Sequence, residues 1–472
     1  MPALRFFNSL GRELEEFHPL EPGLARIYCC GPTVYNDPHI GNLRTFLFED
    51  LLHRSLKYLG YRVVLVMNIT DVDDKTIRNA NAAGLSLDAY TAPFIDSFLA
   101  DLGKLHVEPA TVYPRATEHI AEMLAIIERL VEAGHAYVSE GSVFFRIASD
   151  PDYGRLSGFN LDEVQQGERV ASDEYGKDDI RDFVLWKAAK PSEPAWDSPW
   201  GRGRPGWHIE CSAMSMKYLG ESFDLHCGGV DLIFPHHENE IAQSEGATGK
   251  PFAHTWLHSE HLIVDGEKMS KSLGNQYVLA DLLARGISPR VLRYFLISVH
   301  YRQKINFTFA GLEAAAGALR RLDELRFRLG SAPEAGPPRP EIAAACRELG
   351  QGFAAALSDD LNVSQALASL FGLVKEVNVA IEAGALGEGD RDRVLAALAD
   401  VDRVLAVLDA GAWPAAQPTS GPGDEEIEQA IAARQAARAA RNFAEADRLR
   451  DELLAQGVVL EDTPQGTRWK RR

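Results

Sequence analysis

The chain is poor in cysteine, with five in 472 residues, at positions 29, 30, 211, 227 and 346. An odd, scattered handful in a long chain argues against a disulfide framework and for a reducing compartment, so a cytoplasmic protein is expected. Long apolar runs are also missing. No stretch approaches the roughly 18 residues of a membrane span, and the opening MPALRFFNSLGRELEEF has no apolar core, so neither a membrane segment nor a signal peptide is expected. There is no internal repeat and no low-complexity tract. Basic residues are in deficit: 49 Lys and Arg stand against 68 Asp and Glu, a net charge of −19. That balance argues against a general nucleic-acid binder, whose affinity comes from cations on phosphates. The deficit is not uniform. Residues 429–472 hold nine Lys/Arg and six Asp/Glu, a local basic face compatible with selective RNA binding.

What is present is an ordinary globular mixture, 46% hydrophobic and 25% charged, long enough for about three domains of roughly 150 residues. RIYCC (26–30) predicts a short buried strand. Residues 42–59 predict a helix, with Leu43, Phe46, Leu47, Leu51 and Leu56 on one face and Gly60 as the stop. YRVVLVMNIT is apolar throughout, as a parallel strand covered on both faces should be. Strand, helix and strand make a βαβ unit, whose ligands sit at the carboxyl ends of the strands. CCGPTVYNDPHIGN and NITDVDDK fall there. An amphipathic helix over 117–134 and a hairpin at AYVSEGSVFFRI mark an insertion. Residues 290–411 read as Ala- and Leu-rich helices broken at SAPEAGPPRP, AWPAAQPTSGPG reads as a linker, and the last 48 residues read as a helical pair with a short β-like tail.

Three patterns carry chemistry. Zinc takes thiolate, imidazole and carboxylate in tetrahedral sets. Cys30, Cys211, His236 and Glu240 would make such a set if the fold brought them together, since residues four apart share a helix face. The spacing leaves His237 as a competitor for His236, and buried thiols beside a polar helix face are the plainer reading. PHIGN opens a helix after a strand, and free N–H groups there suit a phosphate. Gly41 allows close approach and His39 could donate, although His and Gly are common at helix starts. GEKMSKSLGN (266–275) sets Lys268 and Lys271 on a glycine-flanked loop. Two such lysines can neutralise a leaving polyphosphate; a solvated basic loop is the alternative.

HIGN followed far downstream by KMSKS resembles the class I aminoacyl-tRNA synthetases. YCCGPTVYNDPHIGNLRTF, NITDVDDK, RPGWHIECSAM, DLIFPHHENEIAQ, EKMSKSLGN and VVLEDTPQGTRW narrow the resemblance to the cysteinyl-tRNA synthetase family over residues 5–472, least closely from about 310 to 425. One departure is Asn42, where the signature has its last His. The resemblance implies an α/β protein with a class I Rossmann-like catalytic domain in two halves (1–115 and 200–290), an inserted connective domain (116–199), a helical bundle (291–411), a linker (412–423) and a small anticodon-binding domain (424–472). It implies one zinc per chain on Cys30, Cys211, His236 and Glu240, with Cys29 as strand packing. Gly31, Thr70, Trp207, His226 and Asp231 would form the cysteine pocket, Asp231 receiving the ammonium. His39, Gly41, Asn42, Lys268, Ser270 and Lys271 would serve ATP and its Mg²⁺. Arg438, Phe443, Asp447, Asp462 and Trp469 would meet the anticodon, where aromatics and arginines stack unpaired bases. The implied partners are L-cysteine, ATP and tRNA(Cys), bound by a monomer.

The nearest rival is the mycothiol-pathway ligase, which passes activated cysteine to an amino-sugar and lacks a full anticodon-binding tail; residues 424–472 disfavour it. A zinc hydrolase would need an open metal position with a water. A non-catalytic RNA-binding module would not need both signatures.

Overall fold

The computed structural model describes residues 3–158, 181–191, 193–270, 273–414, 424–440, 442–455, 458–463 and 466–471. The chain forms two units, Met1–Leu279 with Pro289–Trp413, and Ala280–Ser288 with Pro414–Arg472.

The first unit opens with the antiparallel hairpin β1 (Arg5–Asn8) and β2 (Glu13–Glu16). β3 (Leu24–Cys29) runs into α1 (Ile40–Tyr58), and β4 (Arg62–Met67) returns parallel to β3. β3 is a buried strand with almost no polar side chain, as its apolar sequence requires. α1 starts at a capping box. His39 Nδ1 accepts from the Asn42 N–H, and Asn42 Oδ1 accepts from the His39 N–H, both at 3.2 Å. α2 (Asp74–Ala83) begins with Asp73 accepting from the Lys75 and Thr76 N–H groups and ends at Gly84 in the left-handed region. α3 (Leu87–Lys104) completes this half.

α4 (Ile120–Glu132) follows a single 3₁₀ turn at Ala116–Glu118. It leads to a four-stranded antiparallel sheet of β5 (Ala136–Ser139), β6 (Ser142–Phe145), β7 (Phe183–Ala188) and β8 (Gly203–Pro205). The chain then returns through α5 (Trp207–Leu219), β9 (Phe223–Gly229), α6 (Glu238–Thr248) and β10 (Ala253–Ser259). These strands join the first two in one parallel sheet of order β10-β9-β3-β4. Tyr28 therefore stands beside His226, and His226 beside Trp256, in register. Tyr28, Phe223, Phe252 and Trp256 are among the buried rings of this core.

β11 (Leu262–Val264) pairs with β12 (Glu267–Lys268), and, beyond α7 (Leu279–Ala284) and α8 (Pro289–Ile297), with β13 (Ile305–Phe307). Four helices follow: α9 (Phe309–Ser331), α10 (Pro340–Ser358), α11 (Val363–Glu382) and α12 (Asp390–Leu405). Buried arginines join α1, α8 and α12. Arg293 donates to Asp50 Oδ2 (2.6 Å), to the Leu405 carbonyl (2.8 Å) and to the Leu105 and His106 carbonyls (3.0 and 3.2 Å). Arg44 donates to the carbonyls of Leu296, His300 and Gln303 at 2.6–3.0 Å.

The second unit has its own small core. α13 (Asp424–Ala439), α14 (Phe443–Ala455) and the hairpin β14 (Val458–Thr463) and β15 (Gly466–Arg471) bury Ile427, Ile431, Leu453, Val458 and Leu460.

Candidate active site and metal centre

The carboxyl ends of β3 and β9 and the start of α1 surround a cavity of about 290 Å³. Cys30, Gly31, His39, Asn42, Trp207 and Asp231 line it, so residues singled out from three separate sequence motifs converge. A larger groove of about 620 Å³ lies between α9 and α11 and carries none of these residues.

At the Cys30 end, ligand atoms of Cys30, Cys211, His236 and Glu240 all lie within 4.8 Å of one another, every residue buried. Cys30 follows β3 and Cys211 sits inside α5. His236 lies in the turn Ile233–His237, and α6, which carries Glu240, starts only at Glu238. The expected face shared by 236 and 240 thus comes from a turn feeding a helix. His236 Nε2 is 3.0 Å from Glu240 Oε1, and its Nδ1 is 2.9 Å from His208 Nδ1. A second quartet, Cys30, His226, His237 and Glu240, meets the same distance limit. His237 Nε2 is 3.3 Å from the Cys30 sulfur, and its Nδ1 is 2.8 Å from His258 Nε2. His226 Nε2 is 2.8 Å from Glu240 Oε2.

The electrostatics of the cluster are uneven. Burial alone would push the Cys211 thiol up, but the Cys30 thiol beside it and His236 bring it down to about 6. Burial works against charge on His236, yet Glu240 and Cys211 raise it to about 10. Burial also opposes the Glu240 carboxylate, and His226 and His236 draw it down to about 2. His237 goes the other way: burial and the histidines around it hold it well below its ordinary value. These shifts favour a thiolate on Cys211 and a carboxylate on Glu240, on either side of a proton on His236. A divalent cation would replace that proton, so the donors present fit a metal ion.

Trp207 stacks on His236 at 4.1 Å and is 38% exposed on the cavity side. His226 is fully buried behind Glu240, stacked on Trp256 at 4.3 Å, and does not line the cavity. Thr70 does not line it either. It is buried, accepts from Asn68 Nδ2 (3.1 Å) and donates to Glu210 Oε2 (3.1 Å). Asn68 Oδ1 in turn accepts the Gly31 N–H at 2.8 Å. A Cβ on Gly31 would fall 1.7 Å from the Asn68 carbonyl oxygen, so only glycine fits there. Asn68, Glu210 and His208 stand inside the motifs NITDVDDK and RPGWHIECSAM but were not singled out, because each acts by holding another group of the protein rather than by facing the cavity.

At the other end, the loop after β12 folds onto the start of α1. A Cβ on Gly41 would lie 2.9 Å from the Met269 methyl, and the Ile40 N–H donates to the Tyr277 carbonyl at 2.9 Å. Asn275 holds the loop from inside, accepting the Ser270 N–H and donating to the Lys268 carbonyl. Lys271 lies outside the described residues. In the second unit, Arg438 ends α13 and Phe443, 61% exposed, opens α14, four residues before exposed Asp447. Trp469 is half-buried on β15 and donates to Glu428 Oε1 at 2.7 Å. Asp462 lies on β14 opposite Thr467.

Residues 16–317 match the family of class I (C) tRNA synthetase catalytic domains, 352–409 the DALR domain, and 422–469 the cysteinyl-tRNA ligase anticodon-binding domain. A cysteine–tRNA ligase of Solibacter usitatus is 50% identical over 474 residues, covering 100% of both chains. The chain belongs to the cysteine–tRNA ligase family. A second member, from Symbiobacterium thermophilum, is 49% identical over 482 residues, covering 99% of this chain and 100% of its own. The catalytic-domain match over residues 16–317 makes this chain a ligase of the class I tRNA synthetases. The anticodon-binding match disfavours the amino-sugar rival. Among solved structures, a Mycobacterium tuberculosis methionyl-tRNA synthetase with methionyl-adenylate shares the fold at 17% identity and a TM-score of 0.58, over 82% of this chain and 90% of that one. A leucyl enzyme from Agrobacterium radiobacter does so at 12% identity and a TM-score of 0.58, over 85% and 88%. No helix among the described residues is long and apolar enough to cross a membrane.

Proposed function

We propose that this chain joins L-cysteine to the 3′ end of tRNA(Cys), with a zinc ion on Cys30, Cys211, His236 and Glu240 selecting the substrate thiol. One observation carries the reading: four buried donors from three separate segments meet around Cys30, which lines a cavity that also takes in the capped start of α1. Two sulfurs, an imidazole and a carboxylate suit zinc. His236 is preferred to His237 because only the first quartet uses Cys211, whose thiolate would otherwise be buried beside no cation but the His236 proton. When bound, zinc would offer the cysteine thiolate a direct bond of about 2.3 Å that the hard hydroxyl of serine cannot match. A pocket built around that partner can reject the analogue by roughly 10⁴ to 10⁵.

The protein's own groups position the rest. Trp207 and Gly31 wall the amino acid, His226 braces Glu240, Thr70 holds the Asn68–Glu210 chain under Gly31, and Asp231 receives the ammonium. His39 Nδ1 is engaged by the Asn42 N–H, so the proton of the neutral ring sits on Nε2, a donor for phosphate. Asn42 keeps the N–H groups of α1, including the one at Gly41, directed at ATP. The cysteine carboxylate attacks the α-phosphorus in line, and pyrophosphate leaves with its Mg²⁺. Lys268, Ser270 and Lys271 take up the charge on the leaving group. A ribose hydroxyl of the tRNA 3′ end then attacks the acyl carbon, and AMP leaves. No protein nucleophile is required, so positioning carries most of the rate. Arg438, Phe443, Asp447, Asp462 and Trp469 are assigned to anticodon reading.

The test is charging of bulk tRNA with labelled cysteine and, in parallel, labelled serine, with ATP and Mg²⁺. ATP-dependent charging with cysteine alone is expected. Equal charging with serine would remove the metal as selector, and no charging by folded, metal-loaded protein would overturn the reading.

A further inference from the structure

Tyr35 and Lys75 also line the cavity. Lys75 is the one lysine or arginine among the described residues lining the cavity. It is exposed, and its ammonium lies 5.0 Å from the centroid of the half-exposed Tyr35 ring. Both residues are firmly mounted. The Lys75 N–H is held by the Asp73 cap at 2.8 Å. Asp74, beside it, is tied to Lys187 (2.8 Å) and Arg204 (2.5 Å) of the antiparallel sheet. The Tyr90 hydroxyl donates to the Tyr35 carbonyl at 3.0 Å.

A cation beside an aromatic face suits a single-stranded nucleotide, because the ring stacks a base while the ammonium meets the backbone phosphate. Neither step described above uses this pair. The triphosphate is given the start of α1 and the lysines of 266–275, and the ammonium of cysteine is given Asp231. The second substrate still has to bring its 3′ strand into the same cavity. We infer that Tyr35 and Lys75 receive the last nucleotides of the tRNA 3′ strand, Lys75 pairing with a backbone phosphate there. The inference rests on the function proposed above.

Two assays separate the steps: cysteine-dependent ATP–pyrophosphate exchange, and single-turnover transfer from preformed cysteinyl-adenylate to tRNA. Lys75→Ala is expected to leave exchange within about two-fold and to slow transfer by about ten-fold, the weight of one charge-assisted contact. Lys75→Arg should recover most of the transfer rate. The log–log dependence of transfer on salt should flatten by about 0.7 in the alanine variant, one single-strand phosphate contact, which a structural role would not move. Exchange falling in parallel with transfer would overturn the inference, as would transfer and salt slope both unchanged. Wild-type protein with no cysteine-dependent exchange would instead overturn the functional reading, and the inference with it.

Discussion

Two adjacent histidines, 236 and 237, reach the same shared pair of Cys30 and Glu240 from different sides. Spacing could not separate them, because residues three and four before Glu240 both lie near it. What separates them is the company each keeps: Cys211 and Glu240 hold a proton on His236, whereas His237 sits among other imidazoles and is held neutral. Losing a group that only supports a ligand costs about 10–100-fold in metal affinity. Cys211→Ser and His236→Ala should therefore cost more than about 100-fold, and His237→Ala should fall inside that range. Titration with a zinc chelator of known affinity reads this, and the reverse order of the two histidines would move the centre to the second quartet. The motifs made Cys30, Trp207 and Asp231 legible. Asn68 and Glu210 lie in the same motifs, but their roles were not legible, since which backbone N–H or hydroxyl a side chain holds depends on the fold.

Among the elements, α1 joins the two ends of the problem: its first turn faces the cavity and its middle holds Asp50. The helix expected over 42–59 is found at Ile40–Tyr58; the strand expected at 26–30 is found starting two residues earlier, at Leu24–Cys29, and the one expected at 61–70 is found shorter, at Arg62–Met67. The 3.6-residue and all-apolar patterns were enough for that. The periodicity did not show that Arg44 and Arg293 are buried, because their partners, carbonyls and the Asp50 carboxylate, come from segments more than a hundred residues away. Burial alone would push the Asp50 carboxyl up, but Arg293 and Arg54 hold it below its ordinary value. Its contribution to stability is therefore complete above the unfolded value near 3.9 and is lost as pH falls through the lower folded value. Arg293→Met should cost about 3–5 kcal/mol at neutral pH, the usual result of removing one partner from a buried pair. Asp50→Asn should remove this carboxyl's share of the acid limb. Urea unfolding across pH 2.5–7 would check both, and an unchanged acid limb would show that another carboxylate governs it.

For the molecule as a whole, the sequence showed a basic segment at the end of an acidic chain, and the structure gives that segment a core of its own. The motifs assigned it to RNA, but which of its side chains read bases was less legible: Trp469 already donates to Glu428 inside the unit, while Phe443 presents its ring to solvent. A chain ending at Trp413 is expected to keep cysteine-dependent ATP–pyrophosphate exchange within about three-fold and to lose tRNA charging by at least about 100-fold, since a shortfall of about 3 kcal/mol in tRNA binding gives that factor. Equal loss of both would mean that the first unit does not stand without the second. The sulfur of Cys30 and the carboxylate of Glu240 are 210 residues apart in the chain. Made at about 5–20 residues per second, the thiol spends roughly 10–40 s outside the ribosome's peptidyl centre before its most distant companion is even synthesised. The four donors can meet only after residue 240 has been made, so the centre closes late in synthesis and its completion depends on segments from both halves of the sheet.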